Sequence, residues 1–168
     1  QKGKEPVVGH MHFPSLKTLD AQTAQHLGDL SVMILTIHGL EHLDAEAAAG
    51  LARFKGMNLM LDNVQYVDAT TAKNLAAFKG SNIFLKGLEA LDEETAAAFS
   101  LFTGNQLAFS SVTRIDAGTA EYLASFAGNM LLLDGLRHLD EGVANNLAAF
   151  DFGGFEFGRA RPCPPKVF

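Results

Sequence analysis

The sequence predicts an α/β fold in which short parallel strands and short helices alternate along a right-handed solenoid. Leucine, aspartate, alanine and phenylalanine recur every 24 positions through most of the 168 residues. Within each period, apolar residues at helical spacing are followed by three residues whose apolar side chains alternate. One such unit cannot bury a core, whereas stacked copies form a continuous one. We therefore expect a sheet of about seven short strands on one face and six short helices on the other.

The repeat also defines the organisation of the chain. The shared pattern is L-x-x-L-D-x-x-T-A-x-x-L-A-x-F-x-G-x-x-L-x-L-x-G. We expect an N-terminal segment with a capping strand (1–15), six repeats that end in a second capping strand (16–158), and a proline-rich basic tail or linker (159–168). The capping strands are predicted at 11–13 and 155–157, because terminal solenoid units are usually atypical and shield the core from water. The six units begin at Leu16, Leu40, Val64, Leu88, Val112 and Leu136.

Each helix is predicted from its two ends. An aspartate before each alanine-rich stretch is placed to accept hydrogen bonds from the first-turn N–H groups, as a helix N-cap. These aspartates are Asp20, Asp44, Asp68, Asp92, Asp116 and Asp140. A glycine two residues after the last aromatic is placed for a left-handed C-terminal cap, which gives helices of about ten residues. These glycines are Gly56, Gly80, Gly104 and Gly128.

The strands follow the glycines as short alternations in which the first and third side chains face inward. Strands of one polarity joined through helices must be parallel, and such crossovers are nearly always right-handed. An alanine column, which includes Ala96, is expected to let the helices lie close to the sheet. The predicted strands are 35–37, 59–61, 83–85, 107–109 and 131–133.

This combination of an L-x-L strand, a short loop, a helix and a glycine in 24 residues resembles the leucine-rich repeat superfamily. The A-x-x-L-A helix is similar to that of bacterial 24-residue variants, and the resemblance covers roughly residues 8–158. It implies a solenoid whose sheet face or edges contact another protein. The family usually has an asparagine three residues after the strand, where this chain has aliphatic residues, so the repeat is divergent and its loop must satisfy its backbone groups differently.

The outward strand positions are the candidate partner-binding surface. A middle column contains Thr36, Met60, Phe84, Ala108 and Leu132, with polar residues on both sides. Apolar patches with polar flanks often mark interaction surfaces. High β-propensity of large side chains, or a covering domain or second copy, would explain the same column. The flanking members of the predicted surface are Asn58, Asn82, Met130 and Lys86.

Three histidines are the only metal-ligating candidates. His10 and His12 share one strand face and His38 lies on the next strand, so the three could approach one ion. We expect no carboxylate fixed beside them, and surface histidines need no special explanation, so no metal site is assigned. The aspartate ladder is interpreted as helix caps and not as a calcium site, because the units lack the nonapeptide of calcium-binding coils.

Composition and charge exclude several classes of function. The net charge is −6, to which the first five residues contribute +1 and the last ten +3, leaving −10 on the body, which repels phosphate backbones. No apolar run approaches the ~20 residues of a membrane span. The single cysteine, Cys163, excludes an internal disulfide. We therefore expect neither nucleic-acid binding nor membrane insertion.

We find no catalytic motif in the sequence and expect no enzyme activity and no cofactor. The predicted function is a protein-binding scaffold that uses the exposed sheet face, with a partner that the sequence does not identify. The alternative is a structural or self-associating repeat domain, as a homodimer through the sheet face or an edge strand. A metal-binding protein that uses the N-terminal histidines is a third hypothesis. Because the chain starts at Gln1, we expect a processed or excised protein, with export to the periplasm or cell surface compatible with it.

Overall fold

The computed structural model describes residues 7–150, in which strands and helices strictly alternate. The strands are β1 Val7–Phe13, β2 Val32–Ile37, β3 Asn58–Met60, β4 Asn82–Phe84, β5 Gln106–Ala108 and β6 Met130–Leu132. The helices are α1 Ala21–Gly28, α2 Ala45–Leu51, α3 Ala69–Ala76, α4 Glu93–Ser100, α5 Ala117–Ala124 and α6 Glu141–Leu147.

The six strands form one open parallel sheet in sequence order, which confirms the predicted α/β class. From β2 onward the residues paired between neighbouring strands lie 24 positions apart; Leu59 pairs with Ile83, and Ile83 with Leu107. The first strand and the six helices follow the predicted order. The predicted seventh strand (155–157), the start of the N-terminal segment and the tail lie outside the described residues.

The first two strands are longer than the three residues predicted for them. Strand β1 pairs with β2 from Val7 opposite Val32 to Phe13 opposite Ile37, with a register irregularity between Val7 and His10. Apolar residues continue upstream of the alternating triplet in both strands, so more of the chain suits a sheet. The remaining strands are three residues long and begin one residue earlier than predicted.

The predicted glycine caps are wrong, and the helices have seven or eight residues rather than about ten. Helix α3 ends at a right-handed residue, Ala77, and Phe78 N–H donates to the carbonyl of Leu75 at 3.0 Å. Gly80 lies after this last turn of the helix, and the equivalent glycines Gly56, Gly104 and Gly128 lie at the same position in their units. A Cβ on Gly80 would collide with the Phe78 ring and with the carbonyl of Gly56 one unit earlier. The glycine is therefore a steric requirement of stacking.

The phenylalanines that lie two residues before these glycines form a continuous column of parallel rings beside the helices. Phe54, Phe78, Phe102 and Phe126 are at most 1% exposed, and successive ring centroids lie 6.0, 6.2 and 6.0 Å apart. Phe150 continues the column at 6.3 Å. Offset-stacked rings at this spacing contribute about 0.5–1.5 kcal/mol per pair beyond the area that they bury. The column therefore fixes the distance between successive units on the helix side.

The backbone of the turns is satisfied by main-chain bonds between units. Before the strands, Ser81 N–H donates to Met57 O at 2.8 Å and Asn105 N–H to Ser81 O at 2.6 Å. After the strands, Glu89 N–H donates to Gln65 O at 3.1 Å. The aliphatic positions at which each unit begins are buried beneath these turns; Val64 and its equivalents in neighbouring units are 0% exposed. No side-chain amide is needed at that position.

The alanine column packs helix against helix, which differs from the predicted contact with the sheet. Ala24 and Ala96 are fully buried, and a Cβ on Gly50 of α2 would meet the Ala24 Cβ at 2.8 Å. Ala144 has the same position in α6 and is exposed, and within the described residues no further helix follows α6 to cover it. The column therefore sets how closely successive helices approach.

Enlarging a buried alanine should destabilise this helix layer. Ala96→Leu adds three carbons between tightly packed helices, so we expect a loss of about 1–3 kcal/mol in the free energy of unfolding. Chemical denaturation monitored by circular dichroism measures it. Ala49→Leu on the exposed side of α2 is the matched control and should change stability by less than about 0.5 kcal/mol. Equal effects of the two substitutions would contradict the helix-to-helix role of the column.

Candidate functional site

The outward face of the sheet carries the residues predicted to bind a partner. In β3 the middle residue, Leu59, is 0% exposed, while Asn58 and Met60 point to the opposite side and are partly exposed. Strand β4 repeats this pattern with Asn82 and Phe84. Side chains on this face lie in rows because the register places each one beside its equivalent 24 residues away.

Two members of the predicted surface are buried, although they lie on the outward face. Thr36 is 1% exposed and Ala108 is 0% exposed. Ala108 is short and lies between Phe84 and Leu132 of the neighbouring strands, which shield it. Thr36 is covered by His10 and Met60, which contact its hydroxyl. These two residues therefore support the surface and do not offer contact area themselves.

The accessible apolar part of the face extends from β3 to β6. Met60, Phe84 and Leu132 are partly exposed, and Met130 is 45% exposed. The ammonium group of Lys86 lies 5.3 Å from the centroid of the Phe84 ring, within the range of a cation–π contact. We call Met60, Phe84, Leu132 and Met130 the apolar strip.

Polar rows border the apolar strip and are held by contacts between residues 24 positions apart. On one side the Asn82 amide donates to Asn58 Oδ1 at 2.7 Å. On the other side Lys86 Nζ lies 3.4 Å from Asp62 Oδ2. Ser110 donates to Asp134 at 3.3 Å further along the same row. The strip is thus an apolar centre between ordered polar margins.

The three predicted histidines are close together at the β1 end of the face. His10 and His12 rings stack with centroids 5.7 Å apart, and His12 Nε2 lies 3.0 Å from His38 Nδ1. Contrary to expectation, a carboxylate is adjacent: Asp62 Oδ2 is 3.6 Å from His38 Nε2. The 24-residue spacing from His38 to Asp62 is the sequence signal that would have revealed it. Between residues 7 and 150, no group of three or more His, Cys, Asp or Glu side chains is arranged to hold a metal ion.

The aspartate ladder lies away from this face, at the helix N-termini. The carboxylate of Asp68 accepts from Thr71 N–H at 2.7 Å, and those of Asp92 and Asp116 accept equivalent bonds at 2.8 Å. Asp20, Asp44 and Asp140 cap their helices in the same way. Each aspartate is therefore occupied by the first turn of its own helix.

Three of the capping aspartates have a carboxyl pKa below the ordinary value. The pKa is lowered below its ordinary value in Asp20, Asp68 and Asp116, and the largest cause is the backbone N–H of the threonine three residues further on. Hydrogen bonds to the charged form favour ionisation. These carboxylates remain charged in mildly acidic solution and continue to cap.

Comparisons with known proteins do not assign the chain to a family. A scan against protein-family models finds no match, and a search of the curated proteins finds none. Among the described helices, none has the length and apolar character that crossing a membrane requires.

Removing a cap should weaken the fold without affecting the sheet face. Asp68→Ala leaves first-turn N–H groups of α3 without their acceptor, so we expect a loss of about 1 kcal/mol in the free energy of unfolding. Urea denaturation measures this loss. Asp68→Asn is the matched control, because asparagine caps equally well and should largely restore stability. A fully stable Asp68→Ala protein would contradict the capping role.

Stability should fall in acid because of the same carboxylates. Their pKa is lower in the folded than in the unfolded chain, so between these two values the unfolded state binds more protons. The stabilisation is complete above the ordinary aspartate pKa of about 4 and is lost as the pH falls through the lower folded value. We expect that replacing Asp20, Asp68 and Asp116 together by asparagine will make the denaturation midpoint depend less steeply on pH below about pH 5. An unchanged pH profile would refute the assignment.

Proposed function

We propose that this protein is a non-catalytic protein-binding scaffold whose contact surface is the outward face of the sheet. The observation that carries the proposal is the apolar strip, in which Met60 and Phe84 on one side of the buried Ala108 and Leu132 and Met130 on the other retain exposure on one face of the sheet. Contiguous exposed apolar area with ordered polar margins is the usual composition of a recognition surface.

The dimensions of the strip favour a protein over a small ligand. Three strand spacings of about 4.8 Å separate β3 from β6, which gives a length of about 14 Å. A stable protein interface buries about 800 Å² on each partner, so the polar margins would form the rim around an apolar centre. The amides of Asn58 and Asn82 and the ammonium of Lys86 are placed to supply that rim.

We also infer that the chain is a divergent relative of leucine-rich repeats. Support comes from the parallel β-α stacking at 24 residues per unit. The missing asparagine is compensated by buried aliphatic residues such as Val64 and Leu88, and by main-chain bonds between turns. Such repeats typically act as interaction scaffolds, which agrees with the proposed function.

A second candidate function is self-association, and the first strand favours it. Within the described residues β1 pairs only with β2, so the opposite edge of a seven-residue strand is free to pair. An unpaired strand edge is a template for another chain. Two copies could therefore join edge to edge and leave the sheet face accessible.

The substitution Phe84→Glu separates these possibilities. It places a carboxylate in the middle of the strip beside Lys86, so the fold should persist, with a melting temperature within about 2 °C of wild type. We expect the variant to lose the partner that wild type captures from its native source. Affinity capture combined with light scattering over a concentration series measures partner binding and oligomeric state together.

The matched control is Leu101→Glu, at a residue that is 63% exposed just after α4 and away from the sheet. It should capture the partner as wild type does. A dimer that Phe84→Glu dissociates would indicate that a second copy covers the strip, and a dimer that it leaves intact would indicate pairing through β1. Partner capture that is unchanged in Phe84→Glu would reject the strip as the binding surface.

A further inference from the structure

Two imidazole nitrogens converge at the β1 end of the sheet face. His12 Nε2 and His38 Nδ1 are 3.0 Å apart; His12 lies on β1, and His38 directly follows β2, where its N–H donates to Phe13 O at 3.1 Å. His12 is exposed and the His38 side chain is 40% exposed. The site is therefore held by the sheet and open to solvent.

The surroundings of His38 favour a free lone pair on the nitrogen that faces His12. Asp62 Oδ2 lies 3.6 Å from His38 Nε2 and attracts the ring proton to that side. With the ring proton on Nε2, Nδ1 carries the lone pair that faces His12. A carboxylate beside the distal nitrogen of a histidine is the common outer-shell partner of metal-binding imidazoles, because it fixes the tautomer and raises the basicity of the ligand. Lys86 Nζ lies 3.4 Å from the same carboxylate oxygen and helps to hold Asp62 in place.

His10 is engaged differently and does not join this pair. His10 Nε2 forms a 2.7 Å hydrogen bond with Thr36 Oγ1, and the same hydroxyl lies 3.5 Å from Met60 Sδ. Its ring stacks on His12 instead of pointing toward His38. The three-histidine arrangement considered from the sequence therefore reduces to two convergent nitrogens.

We propose that His12 and His38 form a binding site for a divalent transition-metal ion, with Asp62 as its outer-shell partner. If a metal ion lay 2.0–2.1 Å from both nitrogens, their 3.0 Å separation would give a nitrogen–metal–nitrogen angle of about 94°. That angle suits adjacent positions of the square-planar or octahedral geometries of Cu²⁺ and Ni²⁺. Tetrahedral Zn²⁺ would require the two nitrogens to move about 0.3 Å further apart.

Water molecules would complete the coordination, because the site faces solvent. The ion replaces the proton that the two rings share in the metal-free hydrogen bond. That proton relocates through solvent to Nδ1 of His12, so both rings stay neutral and both donate a lone pair. The binding is independent of the apolar strip and of the proposed partner.

Calorimetric titration of the whole chain with Ni²⁺ alone, in a non-chelating buffer, tests the site. We expect one ion per chain, and at least tenfold weaker binding in both His12→Gln and His38→Gln. Asp62→Asn should weaken binding about tenfold, as removal of outer-shell partners does in other metal sites. His10→Gln and the remote His26→Gln, on the exposed side of α1, are the matched controls and should bind as wild type does.

Nuclear magnetic resonance on the wild-type protein gives a second test that needs no variant. With diamagnetic Zn²⁺, the ring-nitrogen signals of His12 Nε2 and His38 Nδ1 should move while those of His26 stay in place. Absence of Ni²⁺ binding at millimolar concentration, or binding that survives His12→Gln or His38→Gln, would overturn the proposal. Loss of binding in His10→Gln would also overturn the two-ligand assignment and would indicate a site of three histidines.

Discussion

The constraint on which the whole structure depends is the constant register in which strand residues pair with their equivalents 24 positions away. A three-residue strand such as β4 and an eight-residue helix such as α4 are each too short to be stable alone, since their hydrophobic faces need a neighbouring unit. Parallel pairing in constant register supplies that neighbour on both sides. The same spacing governs the ion pair between Lys86 and Asp62 and the amide bond between Asn82 and Asn58. Stability in this molecule is therefore a property of contacts between units.

The helix side of the solenoid is governed by the phenylalanine column and the glycine that follows each ring. Stacking of Phe78 on Phe102 at 6.2 Å brings each ring over its own turn, which leaves no volume for a Cβ at Gly80 or Gly104. Main-chain bonds between successive turns then satisfy the N–H groups of the loops before and after each strand. Each unit thus combines an aromatic spacer with a backbone ladder, and neither requires a polar side chain in the core.

Both proposed sites lie on the sheet face and depend on the same register. Because the register aligns equivalent side chains in rows, a row acquires a common character: apolar through Met60 and Phe84, or polar through His38, Asp62 and Lys86. His12 lies at the β1 end of the apolar row, and its ring nitrogen comes within 3.0 Å of that of His38 in the polar row. The apolar row provides the accessible area for the proposed partner. Both sites are built from residues distant in sequence, and both are rigid because the backbone beneath them is paired.

The sequence by itself determined the class of fold, the faces of each element and the aspartate N-caps of the helices, since these depend on periodicity and on local chemistry. The 24-residue period specifies the fold class and the faces, and the position of Asp68 directly before its helix specifies the N-cap. Tertiary structure alone decided that Thr36 and Ala108 are buried and that His12 meets His38 beside Asp62. It also decided that Gly80 is required because there is no space for a Cβ, and not because it caps the helix. The physical reason is that exposure and side-chain convergence depend on the size and rotamers of neighbours one unit away. A repeat pattern specifies which residues are neighbours, but their separation is set only when the units pack.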